Sequence, residues 1–322
     1  MKSYIGKRLL QSCLVLILLS FFGFAVVYFA PGDISSLYIQ PTMSEEQIEA
    51  VREKYNLNKS LGEQYVEWAA DVLHGNFGVS MVSHLKVKNE ILEKLPSTML
   101  LMGSSLILSV LIAIPLGMLA GYYQNRLPDN LIGGLSYVGM SIPQFWLGFI
   151  LILLFSLKLH LLPTSGMHTL GVKSVWDVCK HMVLPCLTLS ISIMPPYIRY
   201  VRANTIRELK EEYVVTAQAR GTADKKILRK HVLKNTLLPV ITLVGMNLSS
   251  VVGGSFIIET VFGWPGVGTY AMTAIKNRDY PAIMAYTMLI GAVLVAGNLI
   301  ADLLYAVVDP RIRQGMDTVD EK

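Results

Sequence analysis

The sequence predicts an all-α, polytopic membrane protein with six transmembrane helices and both termini on the cytoplasmic side. Hydrophobic residues make up 52% of the chain and charged residues only 16%, whereas soluble domains contain about 25% charged residues. The apolar residues are grouped in six runs, most of which are long enough to span a bilayer. Lysine and arginine are concentrated on one side of these runs, which the positive-inside rule assigns to the cytoplasm.

The first span follows a positively charged start. Lys2, Lys7 and Arg8 precede an uncharged stretch, residues 9–32. This stretch is longer than the apolar core of a signal peptide, which usually has about 7–15 residues. We therefore predict a retained first span at about residues 9–29, with its amino end inside.

The segment after the first span is the longest polar part of the chain and is predicted to be an extracytoplasmic helical loop. The pattern SEEQ, from Ser44 to Gln47, is a capping box that predicts the start of a helix. Helices are expected at about 45–55 and 62–74. The acidic balance of this segment, opposite a basic amino terminus, agrees with an outside location.

Five further spans follow, and proline interrupts several of them. Pro115 lies in the second span and Pro143 in the third, and three prolines predict a kinked or broken fourth span, because proline removes a backbone N–H. The five spans are expected at about 97–122, 131–157, 182–200, 237–258 and 282–307. The predicted domain boundaries are 1–30 for the amino-terminal segment and first span, 31–96 for the outside loop, 97–308 for the transmembrane core and 309–322 for a cytoplasmic tail.

The most basic stretch, residues 199–239, lies between the fourth and fifth spans. It contains ten basic and four acidic residues, and six spans place it inside, together with Arg126 and the tail. Two interpretations stay open on these grounds. The stretch is either a docking element held at the membrane surface or a basic loop whose charges only set the orientation.

The periodicity of this stretch predicts two helices separated by a glycine turn. The first helix has an apolar face at three- and four-residue steps, made of Ile206, Leu209, Tyr213 and Ala217. Gly221 follows where a helix end needs a left-handed residue, and Thr222 is expected to cap the second helix. The second helix should present one face that contains Ile227, Leu228, His231 and Val232.

Two parts of this stretch, TAQARG and KHVLKNTLLP, resemble the inside-loop signature of permease subunits of bacterial ABC importers, in particular the dipeptide/oligopeptide/nickel permease family. Three more parts of the chain are similar to that family: GKRLLQS with PGD near the first span, NFGVS at 76–80, and ETVFGWPGVGTYAMTAIKNRDYP with the DPRIR tail. The general signature has Glu-Ala-Ala where Val215, Thr216 and Ala217 stand, and this chain resembles the variant of the subfamily instead. The resemblance covers nearly the whole chain.

The resemblance implies a set of partners. Such a permease pairs with a second homologous permease subunit in the bacterial plasma membrane, and an extracytoplasmic binding protein delivers the cargo. Its inside loop, here residues 201–236, is the coupling loop on which two ATP-binding cassette ATPase subunits act. The residues that would make the ATPase contact are Tyr213, Thr216, Ala217, Ala219, Arg220, Gly221, His231 and Asn235.

Several other classes of protein are disfavoured. No G-x-x-x-x-G-K-[ST] occurs, so the chain lacks the P-loop that cradles ATP phosphates, and energy would enter through a partner. The spans contain no paired aspartates and no His-Glu-x-x-His, so a membrane-embedded enzyme is disfavoured. Basic residues between membrane spans do not suggest nucleic acid. No metal site or cofactor is expected, because metal-site spacing is absent among Cys13, Cys179, Cys186, His160, His168 and His181.

Two segments are candidates for the translocation path or its gate. Small residues of the fifth span would line a pore or allow close helix packing, namely Ser249, Ser250 and Gly253. A Gly/Pro-rich tract in the next outside loop would form a re-entrant gate or a plain loop, namely Trp264, Pro265 and Gly266. Asp302, near the inner end of the sixth span, is either a structural charge paired with a basic residue or a functional intramembrane carboxylate, and the structural interpretation is favoured.

The leading hypothesis is a permease subunit for di- and oligopeptides. A nickel or metal-chelate permease of the same family stays open as an alternative, because the binding protein carries most of the selectivity. The alternative from another class is a stand-alone secondary transporter. It would show inverted repeats with paired broken helices, and no convincing repeat is present.

Overall fold

The computed structural model describes residues 2–29, 43–47, 49, 59–172, 174–237, 240, 243–245, 251 and 255–308. Within these ranges the chain is helical, apart from loops and an isolated β-bridge between Val79 and Lys86. The main helices are α1 (Lys2–Tyr28), α2 (Leu61–Leu73), α3 (Val87–Tyr122), α4 (Leu127–Ser141), α5 (Gln144–Leu151, continued by a π-helix over Ile152–Lys158), α6 (Val175–Glu208), α7 (Glu212–Ala219), α8 (Asp224–Ile227, continued by a π-helix over Leu228–Val232), α9 (Phe256–Val261), α10 (Val267–Lys276) and α11 (Tyr280–Val308).

Four of these helices are long and apolar enough to cross a membrane, and a fifth span is added if the bent pair α4 and α5 is counted as one. Helices α1, α3, α6 and α11 correspond to the predicted first, second, fourth and sixth spans, and the bent pair corresponds to the predicted third span. The predicted fifth span, 237–258, falls largely outside the described residues, and so does the predicted tail, 309–322. The helices therefore support a polytopic membrane protein, while the total of six spans and the side of the termini stay predictions.

The predicted third span is interrupted at Pro143, as expected, and consists of two helices that meet at a sharp bend. The axes of α4 and α5 differ by 100°. Ile142, between them, is extended at φ −80° and ψ 124°, and Pro143 caps the second helix. The residue before a proline is sterically excluded from the helical region, so the chain turns at Ile142.

The predicted fourth span was expected at 182–200 with a kink or a break, and the break is absent. Instead, α6 is a single helix of 34 residues that contains Pro185, Pro195 and Pro196. It begins at Val175, in the segment of residues 158–181 that connects the predicted third and fourth spans and that six spans place outside. Proline is tolerated within a membrane helix where neighbouring groups satisfy the freed backbone carbonyls, and α6 is packed along much of its length against α3.

The contact between α3 and α6 depends on small residues at every fourth position of α3. These residues are all buried, and they are Ser105, Ser109, Ala113, Gly117 and Gly121. Hydroxyl groups join the two helices in the middle of the contact. Ser190 Oγ donates to the Ser105 carbonyl at 3.0 Å, and Ser109 Oγ donates to the Ser190 carbonyl at 3.3 Å. Close approach through small side chains is the usual way in which membrane helices associate.

The outside loop also packs on the bundle. The capping box predicted at Ser44 forms, because Gln47 Oε1 accepts from the Ser44 N–H at 3.0 Å and Ser44 Oγ accepts from the Gln47 N–H at 3.4 Å. The helix predicted at about 62–74 is present as α2. It lies against α1, where the hydroxyls of Tyr65 and Ser20 are 2.8 Å apart and the Tyr65 ring packs edge-on against Phe21.

The segment NFGVS, residues 76–80, joins the outside loop to the start of α11. Ser80 and Asp279 are both buried, and Ser80 Oγ donates to the Asp279 carboxylate. Gly78 has a φ of +79°, and a Cβ at this position would lie 3.5 Å from Pro281. Two segments almost two hundred residues apart thus form one contact at the predicted outer end of the bundle.

We expect Gly117→Ala to lower the stability of the folded chain by about 1–3 kcal/mol, the usual cost of overpacking a close contact. A Cβ on Gly117 would lie 2.6 Å from Val201 Cβ and 2.8 Å from the Ile198 carbonyl oxygen. Gly133→Ala is the matched control, because a Cβ there meets nothing within 4 Å. Thermal unfolding in detergent measures both variants, and equal midpoints for the two would contradict the role assigned to the small residues.

Candidate functional site

The basic stretch folds as a helix, a glycine turn and a second helix, and we call residues 209–237 the basic element. The periodicity predicts a first helix that runs on from α6 without a break, and this prediction is wrong. Instead, α6 ends at Glu208, residues 209–211 form a turn, and α7 begins at Glu212. The turn redirects the chain so that Val214, rather than the predicted face, becomes the fully buried residue of α7.

Gly221 ends α7 in the left-handed conformation that the sequence predicts, with a φ of +76°. The Thr222 N–H donates to the Ala217 carbonyl at 3.1 Å, and the Gly221 N–H donates to the Gln218 carbonyl at 2.8 Å. These two bonds are the Schellman arrangement that closes a helix carboxyl end. The prediction that Thr222 caps the next helix is therefore wrong. That position is Ala223, which makes no side-chain cap bond.

A small apolar core holds the two arms of the basic element together. Val214 of α7 packs with Ile227 and Val232 of the second arm, and all three are at most 1% exposed. Met118, near the carboxyl end of α3, packs against the same cluster. The predicted face of the second arm is thus partly correct, since Ile227 and Val232 are buried and Leu228 and His231 are only partly covered.

Hydrogen bonds fix both ends of the basic element to the long helices. Glu208, the last residue of α6, accepts from Tyr213 Oη at 2.6 Å and from Asn235 Nδ2 at 3.0 Å. At the start of the second arm, Tyr122 Oη at the end of α3 donates to the Asp224 carboxylate at 2.7 Å. Burial, and then the bond to Glu208, raise the pKa of Tyr213 to about 12, so its hydroxyl remains a donor at neutral pH.

The residues predicted to contact an ATPase fall into two groups. One group forms an exposed bend at the end of α7, and it contains Thr216, Ala219, Arg220 and Gly221. The other group is used within the molecule. Tyr213 and Asn235 belong to the Glu208 network, Ala217 packs on the apolar core, and the His231 ring lies 6.2 Å from the Tyr213 ring. Of the predicted contact residues, the four of the exposed bend are therefore exposed and outside these internal contacts, whereas Tyr213 is 36% exposed but belongs to the Glu208 network.

The candidate gate residues are only partly described. Ser249, Ser250 and Gly253 lie outside the described residues. Trp264 is 0% exposed, and its Nε1 donates to the Ser97 carbonyl at 2.9 Å. Pro265 is exposed, whereas Gly266 is buried. The tract is thus packed onto the outer part of α3, and a gating role for it stays a prediction.

Glu259 organises this tract, and the sequence reasoning did not single it out. It is 0% exposed, and its carboxylate accepts from Thr98 Oγ1 at 2.8 Å and from the Thr269 N–H at 3.0 Å. The second bond places a carboxyl oxygen on a free backbone N–H at the start of α10, as a helix cap does. Gly266 and Gly268 leave room for the carboxylate. A Cβ on Gly266 would lie 2.4 Å from Glu259 Oε2, and a Cβ on Gly268 would lie 2.7 Å from the same atom. The sequence feature that could have indicated this role is that Glu259 is the single charged residue of the run ETVFGWPGVGT.

We expect Glu259→Ala to destabilise the chain by about 1–3 kcal/mol for each buried donor that it leaves without a partner. Glu63→Ala is the matched control, because Glu63 also caps a helix, α2, but is exposed. A carboxylate at an exposed helix start contributes only about 0.3–1 kcal/mol. Detergent unfolding midpoints compare the two, and an equal loss in both variants would show that the buried contacts of Glu259 are unimportant.

Comparison with known proteins matches the chain over most of its length. The family described as "Binding-protein-dependent transport system inner membrane component" matches residues 113–314, and the corresponding N-terminal family matches residues 1–102. The oligopeptide transport system permease protein AppB of Bacillus subtilis is 40% identical over 97% of this chain and 99% of its own length.

Two further relatives have similar coverage. The probable peptide ABC transporter permease protein y4tP of Sinorhizobium fredii is 36% identical over 96% of this chain and 99% of its own length. The glutathione transport system permease protein GsiC of Escherichia coli K12 is 35% identical over 97% of this chain and 99% of its own length. Together with the apolar helices, these matches show that the chain belongs to the binding-protein-dependent transport system inner membrane components, the ABC transporter permeases, and is a multi-pass protein of the bacterial plasma membrane.

Proposed function

We propose that this chain is the permease subunit of an ATP-driven importer that takes up di- and oligopeptides delivered by an extracytoplasmic binding protein. The observation that carries the proposal is the full-length similarity to permeases whose names state oligopeptide, peptide or glutathione transport. Nickel or a metal chelate stays the alternative cargo, and these three relatives favour peptides. Membership of an ABC permease family disfavours a stand-alone secondary transporter.

The ATPase subunits are proposed to dock on the exposed bend of the basic element. Thr216, Ala219 and Gly221 carry small side chains or none, so a partner surface can approach the backbone closely there. Arg220, on the same bend, adds a positive charge. The chain itself has no P-loop, which agrees with a non-catalytic subunit that receives its energy from a partner.

The contacts of the basic element suit it to transmit motion. Asp224 bonds to the end of α3 and Glu208 is the end of α6, and these two helices are packed through the small residues of α3. Movement of a docked ATPase would displace the basic element as one unit with both helices. A second homologous permease would complete the transport path, and the switch between outward-open and inward-open forms would follow the movement of both subunits.

We expect Gly221→Val to uncouple ATP hydrolysis from peptide uptake in the assembled importer. Valine at a φ of +76° is strained by about 1–2 kcal/mol, so the exposed bend must change shape. Uptake should fall about tenfold, within the usual range of coupling energies, while hydrolysis continues. The assay is labelled-peptide uptake and phosphate release in proteoliposomes.

Gly171→Val is the matched control for this experiment. Gly171 has a φ of +81° and open space around its Cβ position, but it lies in the predicted outside loop. It should carry the same local strain without uncoupling. Normal uptake by Gly221→Val, or an equal loss in both variants, would count against docking at the exposed bend.

We expect a cysteine introduced as Ala219→Cys, in a chain without its native cysteines, to cross-link to an ATPase subunit. Leu170→Cys, at a fully exposed position of the predicted outside loop, is the control that should not. Mass spectrometry of the cross-linked bands identifies the partners. Capture of the ATPase from Leu170, or of the binding protein from Ala219, would reverse the proposed orientation.

A further inference from the structure

A large cavity lies between α4 and α6, away from the basic element and from the Glu259 tract. Its volume is about 730 Å³, and its walls include Asn125, Gly134 and Tyr137 from the α4 side and Arg199 and Arg202 from α6. It therefore extends from the turn before α4 to a depth of ten residues along that helix, about 15 Å at the rise of an α-helix.

One of the two arginines that line this cavity has no carboxylate partner among the described residues. Arg202 is paired with Asp129, whose carboxylate receives both its Nε and a terminal nitrogen, the latter at 2.7 Å. This pair is neutral overall. Arg199 makes no ion pair with any described residue, and its guanidinium lies 5.8 Å from the centre of the Tyr137 ring. The cavity thus has a net charge of one positive unit.

The floor and rim of the cavity suit a lipid. A Cβ on Gly133 or Gly134 would meet nothing within 4 Å, so the helix surface between the charged end and Tyr137 is open. Around it, apolar side chains of α4 are more than half exposed, as expected of a face turned to lipid, namely Leu131, Leu135 and Val138. Polar groups near one end of the helix and apolar ones beyond match the order of headgroup and acyl chain.

The depth of Arg199 agrees with the headgroup level of the inner leaflet. It lies nine residues before the end of α6 at Glu208, about 14 Å along the axis, at the predicted inner boundary of the span. Arginine in a membrane segment requires a counter-charge, and basic pockets between membrane helices on the cytoplasmic side accept anionic lipid headgroups. This step rests on the orientation given under the proposed function.

We propose that this cavity is a binding site for the phosphodiester headgroup of an anionic phospholipid of the inner leaflet, with Arg199 as the residue that selects for negative charge. One phosphodiester carries one negative charge and would neutralise the cavity. The lipid would occupy the open surface at Gly133 and Gly134 and lie between α4 and α6, next to one of the two helices that hold the basic element.

The test is native mass spectrometry of the assembled importer after exchange into an equal mixture of phosphatidylglycerol and phosphatidylcholine. The wild-type complex should retain phosphatidylglycerol preferentially. Arg199→Gln should lower the ratio of retained phosphatidylglycerol to phosphatidylcholine about fivefold, the factor expected for one basic side chain near an anionic surface. Arg199→Lys should keep most of the preference, because it keeps the charge.

Two further variants separate the site from general effects. Arg126→Gln removes the same charge from the exposed residue before α4, which does not line the cavity, and it should leave the ratio unchanged. Gly134→Leu fills the open floor without changing charge, and it should lower retention of both lipids. This variant also keeps the proposal testable if Arg199→Gln does not assemble.

Three outcomes would overturn the proposal. They are an unchanged lipid ratio in Arg199→Gln, loss of bound phosphatidylglycerol to excess inorganic phosphate, and a cross-link from residue 199 to the second permease in place of lipid. The Ala219→Cys cross-link is measured on the same complexes. A lipid preference that depends on Arg199, without ATPase capture from Ala219→Cys, would refute the docking proposal and support the lipid site. ATPase capture together with a lipid ratio that does not depend on Arg199 would support docking and refute the lipid site.

Discussion

The close packing of α3 against α6 is the constraint on which the rest of the described structure depends. Membrane helices gain no hydrophobic free energy from each other, so they associate through van der Waals contact and interhelical hydrogen bonds. Small residues at every fourth position of α3 provide the first, and the hydroxyls of Ser109 and Ser190 provide the second. Gly117 and Gly121 bring together the carboxyl-terminal halves of the two helices, which fixes the separation of Tyr122 and Glu208 at their ends.

The basic element depends on that fixed separation because it is too small to fold alone. Isolated helices below about 12–15 residues are marginal in water. Helix α7 has eight residues, and the second arm is helical over residues 224–237. Its three buried residues form only a small core. What holds the basic element is therefore the bond from Tyr122, the network around Glu208 and the contact with Met118 of α3. The arms that carry the exposed bend are thus tied to the ends of α3 and α6, which suits the proposed docking role.

Features set by short-range interactions could be predicted from the sequence, and features set by distant partners could not. The conformation of Gly221, the capping box at Ser44 and the apolar spans each follow from residues within a few positions of one another. The continuity of α6 through three prolines depends on α3, so local propensity predicted a kink or a break, and the break is absent. Glu259 was missed for the same reason, since Thr98 lies 161 residues away in the chain. The start of the second helix was predicted one residue too early, at Thr222 instead of Ala223, because the Thr222 N–H closes the end of the preceding helix.

The segments that carry the family resemblance differ in one physical respect. NFGVS and the tract from Glu259 are explained by their own packing: Gly78 lies against Pro281, Ser80 bonds to Asp279, and Gly266 leaves space for the Glu259 carboxylate. In TAQARG, internal packing accounts for Ala217, and the helix end accounts for Gly221. Thr216, Ala219 and Arg220 point to solvent without a described contact that requires them. Because nothing within the described part of this chain explains those three residues, their explanation is sought in a partner surface, and the exposed bend is where that surface would bind.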